Sequence, residues 1–453
     1  MAKFDRKKTL KRMELKRKWR NYSRYVYIAV PCVLCCLLCL YFAYSKFFVS
    51  EEQAVIKTTV GDFIYGDVVI GAYIDGEYSS TIPGKNDDYV VEKIVCDNGA
   101  TGEWDNDKWG LLTTNLSKRT KCNVYFKKVV SKVPDIIAQL DTSGKCPSVN
   151  ADGSVNVTGV EATNGYLCKA KDAYGDSYYY RGNVTNNYVL FADKYWRIVR
   201  INGDGTVRVI YDGTSAHGNG ESSEDRQIGT SAFNSSSNDN AYVGYMYGAT
   251  GASTYVAAHA NTNDSTIKTY IDNWYKTNIL GTANEQYLAD NIFCNDRSLA
   301  GSNSGTGAGT SISHYRWYNT PWESDDYVNY SKYNNKMMLT CSQKNDAFTV
   351  SDTINGNGAL TYPVGLMTMD EMVLAGGWNE ENSGYYLYSG QYWWVSSPGN
   401  FMGSYAGVRR VHSNGCADVP YFVYVAYGVR PVLNLKAEVL KYGDGTLNNP
   451  YHL

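Results

Sequence analysis

The sequence predicts a membrane-anchored chain that is mainly β with some α, made of an N-terminal transmembrane helix and two outer domains. Three observations support this fold class. One long apolar stretch lies near the N-terminus, and many short apolar runs separated by Gly, Asn and Asp follow it. About 400 of the 453 residues come after the apolar stretch, which is more than a single hydrophobic core usually holds.

The apolar stretch, residues 25–48, is uncharged up to Lys46 and has tyrosines near both ends. Its length is sufficient to cross a hydrocarbon core of about 30 Å. Residues 1–24 form a basic arm with eleven Lys and Arg against two acidic residues. This asymmetry predicts a single-pass protein of the cell membrane with a cytoplasmic N-terminus, an uncleaved signal anchor and an extracellular C-terminal part. Residues 25–48 would contact membrane lipid, and the basic arm is explained by topology without nucleic-acid binding.

Cysteine usage is typical of an oxidising compartment. Seven cysteines lie outside the predicted span, and their spacing predicts three local disulfides that leave Cys416 over. The predicted pairs are Cys96 with Cys122, Cys146 with Cys168, and Cys294 with Cys341.

The first outer domain, residues 52–135, contains short strand patterns divided by turn residues and is predicted to be a β-sandwich. Residues 109–128 resemble the end of a fibronectin type III domain, with Leu116, Thr120 and Cys122 at the places of that family's leucine, threonine and tyrosine. A bridge from Cys122 to Cys96 would then tie two strands across the core.

The second outer domain is predicted over residues 166–440, after a linker at 136–165 and before a tail at 441–453. Residues 195–213 alternate apolar and basic residues around an Asn-Gly-Asp-Gly turn, which predicts a hairpin. Two helices are predicted, one over 265–279 from its apolar face and one after Thr368, whose spacing to Glu371 indicates a capping box.

Four segments of this domain resemble an uncharacterised domain of surface proteins of Firmicutes, which is itself similar to formylglycine-generating enzymes. They read GLMTMDEMVLAGGW, YWWVSSPG, GVRRVHSNGCADV and AYGVRPVLNL. The resemblance covers about residues 166–435 and implies a C-type-lectin-like fold. The paired catalytic cysteines and the calcium-binding triplet of those groups are missing, so it implies neither oxidase chemistry nor calcium-dependent sugar binding. The sequence predicts no cofactor and no metal site.

The stretch QYWWVSSPGN, residues 391–400, contains the strongest binding candidates, because two adjacent tryptophans precede a turn. Neighbouring side chains of a strand point to opposite faces. We therefore expect Trp394 in the core and Trp393 partly exposed. The candidate binding residues are Trp393, Tyr392, Arg409, His412 and Tyr421.

The composition, with 41 Tyr and 42 Gly, is typical of adaptable recognition surfaces. The predicted function is a single-pass, membrane-anchored extracellular binding or adhesion protein of a bacterial cell surface that contacts an unknown protein or glycan. The alternative is an anchored cell-wall enzyme. The Ser413–Cys416 stretch SNGC resembles the cysteine motif of L,D-transpeptidases, which would require His412 or His314 beside Cys416.

Overall fold

The computed structural model describes residues 11–19, 69–85, 87–115, 120–301, 303–318, 336–378 and 381–453. Within these ranges the protein is mainly β with few helices, and it divides into two compact units at Val129 and Val130. Each unit has a hydrophobic core of its own.

The predicted fold class needs a correction at its N-terminal element. Residues 11–19 are helical and rich in Lys and Arg. No helix in the described ranges is long and apolar enough to cross a membrane. The predicted span itself, residues 25–48, lies outside the described residues.

The smaller unit is a mixed four-stranded sheet with the order β2-β1-β6-β3, covered by a hairpin of β4 and β5. Its strands are β1 (Val69–Ile74), β2 (Glu77–Ser79), β3 (Tyr89–Cys96), β4 (Thr101–Asp105), β5 (Gly110–Thr114) and β6 (Lys121–Lys128). The hairpin lies on the sheet through Trp104, whose ring centroid is 5.2 Å from that of Phe126. The predicted β-sandwich is therefore corrected to a mixed four-stranded sheet covered by a two-stranded hairpin, because β1 and β6 run parallel and β4 and β5 pair only with each other.

The Cys96–Cys122 disulfide forms as predicted, but it does not cross the core. The two cysteines lie directly opposite each other on the paired strands β3 and β6. The bridge therefore fixes the register of neighbouring strands.

In the part that the structure describes, the larger unit contains two main sheets and four α-helices. Its strands are β7 (Ser148–Val149), β8 (Val155–Asn156), β9 (Tyr166–Asp172), β10 (Gly175–Arg181), β11 (Tyr188–Phe191), β12 (Lys194–Ile201), β13 (Val207–Gly213), β14 (Thr230–Ala232), β15 (Met246–Tyr247), β16 (Asn263–Asp264), β17 (Phe293–Cys294), β18 (Ser313–His314), β19 (Lys336–Met337), β20 (Ala347–Phe348), β21 (Val364–Gly365), β22 (Trp393–Phe401), β23 (Ala406–Val411), β24 (Tyr421–Phe422), β25 (Ala426–Gly428) and β26 (Val432–Leu435). Its helices are α1 (Val133–Ile137), α2 (Tyr255–Ala258), α3 (Thr266–Asn278) and α4 (Met369–Ala375).

One main sheet has the order β21-β26-β13-β12-β10-β9, with β11 also paired to β12. The other has the order β14-β25-β22-β23-β24, with β18 also paired to β22. The stretch predicted to be a linker contributes β7 and β8, and β8 pairs with β19 inside the larger unit. The Cys146–Cys168 and Cys294–Cys341 disulfides form as predicted, and Cys416 is free.

The predicted hairpin is confirmed as β12 and β13. Its alternation indicates a half-buried strand, yet the basic residues are buried as well as the apolar ones. Arg200 pairs with Asp172 at 2.6 Å and Arg208 with Glu371 at 2.6 Å. Because a buried charge requires a partner, these pairs allow helix α4 and the neighbouring loops to cover the second face of the sheet.

Candidate functional site

The two tryptophans of the stretch 391–400 are both buried, on opposite faces of β22. Trp394 packs between Phe233 and Tyr427, and its indole N–H donates to the Ser231 carbonyl at 2.9 Å. Trp393 lies beneath the Arg430 guanidinium, 5.1 Å from its ring centroid. The prediction that Trp393 is partly exposed is wrong, because β22 lies inside the sheet and is covered on both faces.

Arg409 is also a structural residue. Its guanidinium is buried and donates to the backbone carbonyls of Trp317, Tyr318 and Asp418 at 2.6 to 2.8 Å. Side chains alternate along β23, so the next residue, Arg410, points to the other face. The arginine that contacts the candidate residues Tyr392 and Tyr421 is therefore Arg410, and not the predicted Arg409.

Arg410 lies among three tyrosine rings. Its guanidinium carbon is 4.4 Å from the ring centroid of Tyr392, 3.9 Å from that of Tyr421 and 4.3 Å from that of Tyr427. Its Nε donates to the Asp418 carboxylate at 2.7 Å. Cation–π contact on three sides and one ion pair hold the guanidinium in place, so the rings around it form a rigid platform.

His412 extends this platform beyond Tyr392. The Asn414 backbone N–H donates to His412 Nδ1 at 3.1 Å, and His412 Nε2 lies 2.7 Å from the Tyr392 hydroxyl. A backbone N–H can only donate, so the neutral imidazole carries its hydrogen on Nε2 and donates to the Tyr392 oxygen. The hydroxyl hydrogen of Tyr392 is then available to another acceptor.

Further rings follow at β24 and Tyr405, and their planes meet at angles of 44° to 78°. The Tyr421 and Tyr427 centroids are 5.5 Å apart, those of Tyr421 and Phe422 5.3 Å, and those of Phe422 and Tyr405 4.4 Å. Phe422 and Tyr424 lie on one side of the chain with ring planes 8° apart. We call this row the aromatic strip. It consists of Tyr392, Tyr427, Tyr421, Phe422, Tyr405 and Tyr424.

All six rings of the aromatic strip are partly or largely exposed. Tyr405 and Tyr424 are the most accessible, with 38% and 50% of their surface exposed. Of the five candidates from the sequence, Tyr392, His412 and Tyr421 come together here, whereas Trp393 and Arg409 are buried. The spacing of aromatics in YFVYVAY, residues 421–427, could have revealed three of the other four rings, and Tyr405 lies outside this pattern.

Cys416 and its neighbours lack the arrangement of a nucleophilic pair. Burial and the Asp418 carboxylate raise the pKa of the Cys416 thiol, whereas a nucleophilic cysteine needs a lowered one. Both ring nitrogens of His412 bind Tyr392 and Asn414 instead of the thiol. His314 stacks on Tyr318, with ring centroids 3.7 Å apart.

A small polar cavity near α4 is lined by arginines and carboxylates that pair with each other. Arg316 binds Asp370 at 2.5 Å, and Arg200 binds Glu371 at 3.1 Å. The charged side chains that line the cavity are therefore paired with each other. They serve as structural ion pairs and leave no unpaired charge for a ligand. Across the described ranges, no group of three or more His, Cys, Asp or Glu could hold a metal ion.

Comparison with protein-family models, with curated proteins and with solved structures found no match to this chain. The resemblances to the Firmicutes surface domain, to formylglycine-generating enzymes and to the fibronectin type III domain therefore stay predictions.

Proposed function

We propose that this chain is an extracellular binding or adhesion protein of a bacterial cell surface, and that the aromatic strip is its contact surface. The observation that carries the proposal is the group of six partly or largely exposed rings in the aromatic strip. Tyrosine supplies a large contact area and loses little side-chain entropy on binding. Tyrosine is also one of the residues that most often contribute the largest share of the binding energy of an interface.

Three disulfides support the extracellular location. Cys96–Cys122 lies within the smaller unit, and Cys146–Cys168 and Cys294–Cys341 lie within the larger one. Such bonds persist in oxidising environments and are rare in reducing ones. The bonds therefore favour export of residues 69–453.

The alternative function, a cell-wall enzyme using Cys416, has less support. Its reaction requires a thiolate oriented by a histidine. The raised pKa of Cys416 and the engaged nitrogens of His412 work against both requirements.

Two measurements on bacteria that produce the full chain test the proposal. Protease added to intact cells should digest the two compact units, and protection of both from the protease would contradict the surface location. Cells that produce the chain should adhere to host or bacterial surfaces better than cells from which it has been deleted. Equal adhesion by both would contradict the binding function.

A further inference from the structure

We infer that the helix at residues 11–19, called the basic helix below, binds the surface of an anionic lipid membrane. This inference concerns the N-terminal part of the chain and does not depend on the function proposed for the aromatic strip. It follows from three properties of the basic helix: the exposure of every residue, a large excess of positive charge, and the position of two apolar residues among the cations.

The charge of the basic helix requires an anionic partner. Its nine residues contain one carboxylate, that of Glu14, against five cations, so the net charge is +4. The cations are Lys11, Arg12, Lys16, Arg17 and Lys18. All nine residues are exposed, so this charge faces solvent. Clusters of Lys and Arg of this kind are attracted to membranes that contain anionic lipids.

Helical spacing places most of the cations on one face, together with two apolar residues. Leu15 and Trp19 are four residues apart and are therefore neighbours on the helix surface. Four of the five cations flank this pair: Lys11 and Lys18 on one side, and Arg12 and Lys16 on the other. Glu14 lies about 120° further round the helix. The face with the apolar pair is therefore free of negative charge.

The apolar pair selects a membrane over a nucleic acid. Trp19 is 73% exposed and Leu15 is 56% exposed. Such side chains bury at the boundary between lipid head groups and acyl chains, where basic amphipathic helices lie in the plane of the membrane. Lys and Arg beside them keep their stems on apolar surface and extend their charged ends to the phosphates. A nucleic acid would bind the cations through its phosphates, but it has no apolar interior that buries Leu15.

The test measures amide hydrogen exchange within residues 11–19 of the full-length protein. The protein is mixed with vesicles of phosphatidylcholine alone, with vesicles that also contain phosphatidylglycerol, or with single-stranded poly(dT). An apolar stretch, residues 25–48, follows in the sequence, so total binding of the chain to vesicles would not report on the basic helix alone. Local exchange reports on the basic helix wherever the rest of the chain is held.

Three variants accompany the wild type. Lys11→Gln/Lys16→Gln removes two cations of the binding face and keeps the apolar pair. The matched variant Lys127→Gln/Lys128→Gln removes two exposed cations of the smaller unit. Trp19→Ala keeps every charge and removes the ring.

Vesicles with phosphatidylglycerol should slow exchange within residues 11–19 of the wild type, and vesicles of phosphatidylcholine alone should not. Lys11→Gln/Lys16→Gln should need about thirtyfold more anionic lipid for half-maximal protection, the loss expected for two cations at an anionic surface. Trp19→Ala should also need more lipid, because no indole ring is then buried in the membrane. The matched variant should respond like the wild type.

Several results would overturn the inference. They are equal protection by neutral and anionic vesicles, no protection by any vesicle, and protection that Lys11→Gln/Lys16→Gln or Trp19→Ala leaves unchanged. Protection by poly(dT) alone would assign the basic helix to nucleic acid instead. An equal loss in the matched variant would indicate a response to total charge and not to this helix. The proposed function would stand in each case, because adhesion is assigned to the aromatic strip.

Discussion

At the residue scale, Trp393 and Trp394 show how two adjacent rings of one strand can both belong to the core. A strand in the interior of a sheet that is covered on both faces buries every side chain, whatever its alternation. We predict that Trp393→Ala and Trp394→Ala each lower the free energy of unfolding by about 3 to 5 kcal/mol, through lost burial and a residual cavity. Trp394→Ala also removes the hydrogen bond to the Ser231 carbonyl.

Urea unfolding of the two variants measures these costs. Tyr442→Ala, which removes a partly exposed ring, should change the free energy by less than about 0.5 kcal/mol. A cost below about 1 kcal/mol for Trp393→Ala would show that its ring contributes little to the core.

His217 predicts a dependence of stability on pH. Its Nδ1 lies 2.8 Å from Glu221, and its Nε2 lies 2.9 Å from Asp225. Burial lowers the pKa of His217, but the hydrogen bonds to the two carboxylates outweigh burial and raise the pKa above its ordinary 6.5. A raised pKa in the folded state means that protonated His217 stabilises the fold fully below pH 6.5, and that this contribution is lost as pH rises through the folded value.

The measurement is urea unfolding between pH 5.5 and 8.5 of the wild type and of His217→Gln, with His452→Gln as the control. The wild type and the control should lose stability relative to His217→Gln as pH rises from about 6.5. Parallel curves for wild type and His217→Gln would contradict the coupling of His217 to Glu221 and Asp225.

At the element scale, helix α4 combines a local role and a distant one in a single side chain. Thr368 caps the helix through the Glu371 backbone N–H, and the Glu371 side chain accepts from the Thr368 backbone N–H at 3.0 Å. The same carboxylate pairs with Arg200 and Arg208 of the hairpin. Glu371 is therefore both half of a capping box and the counterion of two buried arginines.

We predict different costs for the two halves of this capping box. Thr368→Ala should lower the free energy of unfolding by about 1 kcal/mol, the usual cost of losing a cap. Glu371→Gln should lower it by about 3 to 5 kcal/mol, because a buried arginine loses its counterion. Urea unfolding measures both, and equal costs would indicate that the ion pairs add nothing to the cap.

The same helix shows what the sequence could and could not predict. Local patterns were sufficient for the capping box at Thr368, for α3 with its N-cap Ser265, and for the hairpin of β12 and β13, since each depends on residues close in the chain. The partners of Glu371 lie more than 160 residues away, and no local pattern specifies them.

The candidate site was predictable to a similar extent. Aromatic residues near 392 and 421 indicated a recognition surface, and Tyr392, His412 and Tyr421 do meet there. Strand alternation shows that Arg409 and Arg410 point to opposite faces of the sheet, but it does not show which face is buried. The buried face is decided by the layers above and below β23, so the sequence could not show that Arg409 is the buried one.

At the scale of the whole molecule, the chain consists of two compact units with separate cores of very different size. The smaller core has five buried hydrophobic residues in the described ranges: Ala72, Leu111, Cys122, Val124 and Phe126. A small domain with so little buried apolar surface depends on a covalent link. In the described ranges, the larger core contains residues of both main sheets and of α1, α3 and α4, and this unit carries two disulfides.

Since the two cores are separate, we predict two thermal transitions in the oxidised protein, with the smaller unit unfolding at the lower temperature. Replacing both Cys96 and Cys122 by alanine should lower the first transition and leave the second unchanged, because the bridge limits the unfolded state of the smaller unit alone. A fragment of residues 130–453 should keep the upper transition at the same temperature.

Differential scanning calorimetry measures the transitions of the oxidised protein, the double cysteine variant and the fragment. Cys416→Ala is the control, because Cys416 forms no disulfide and its loss removes no crosslink. A single transition that shifts as a whole in the Cys96 and Cys122 variant would mean that the two units unfold as one cooperative body.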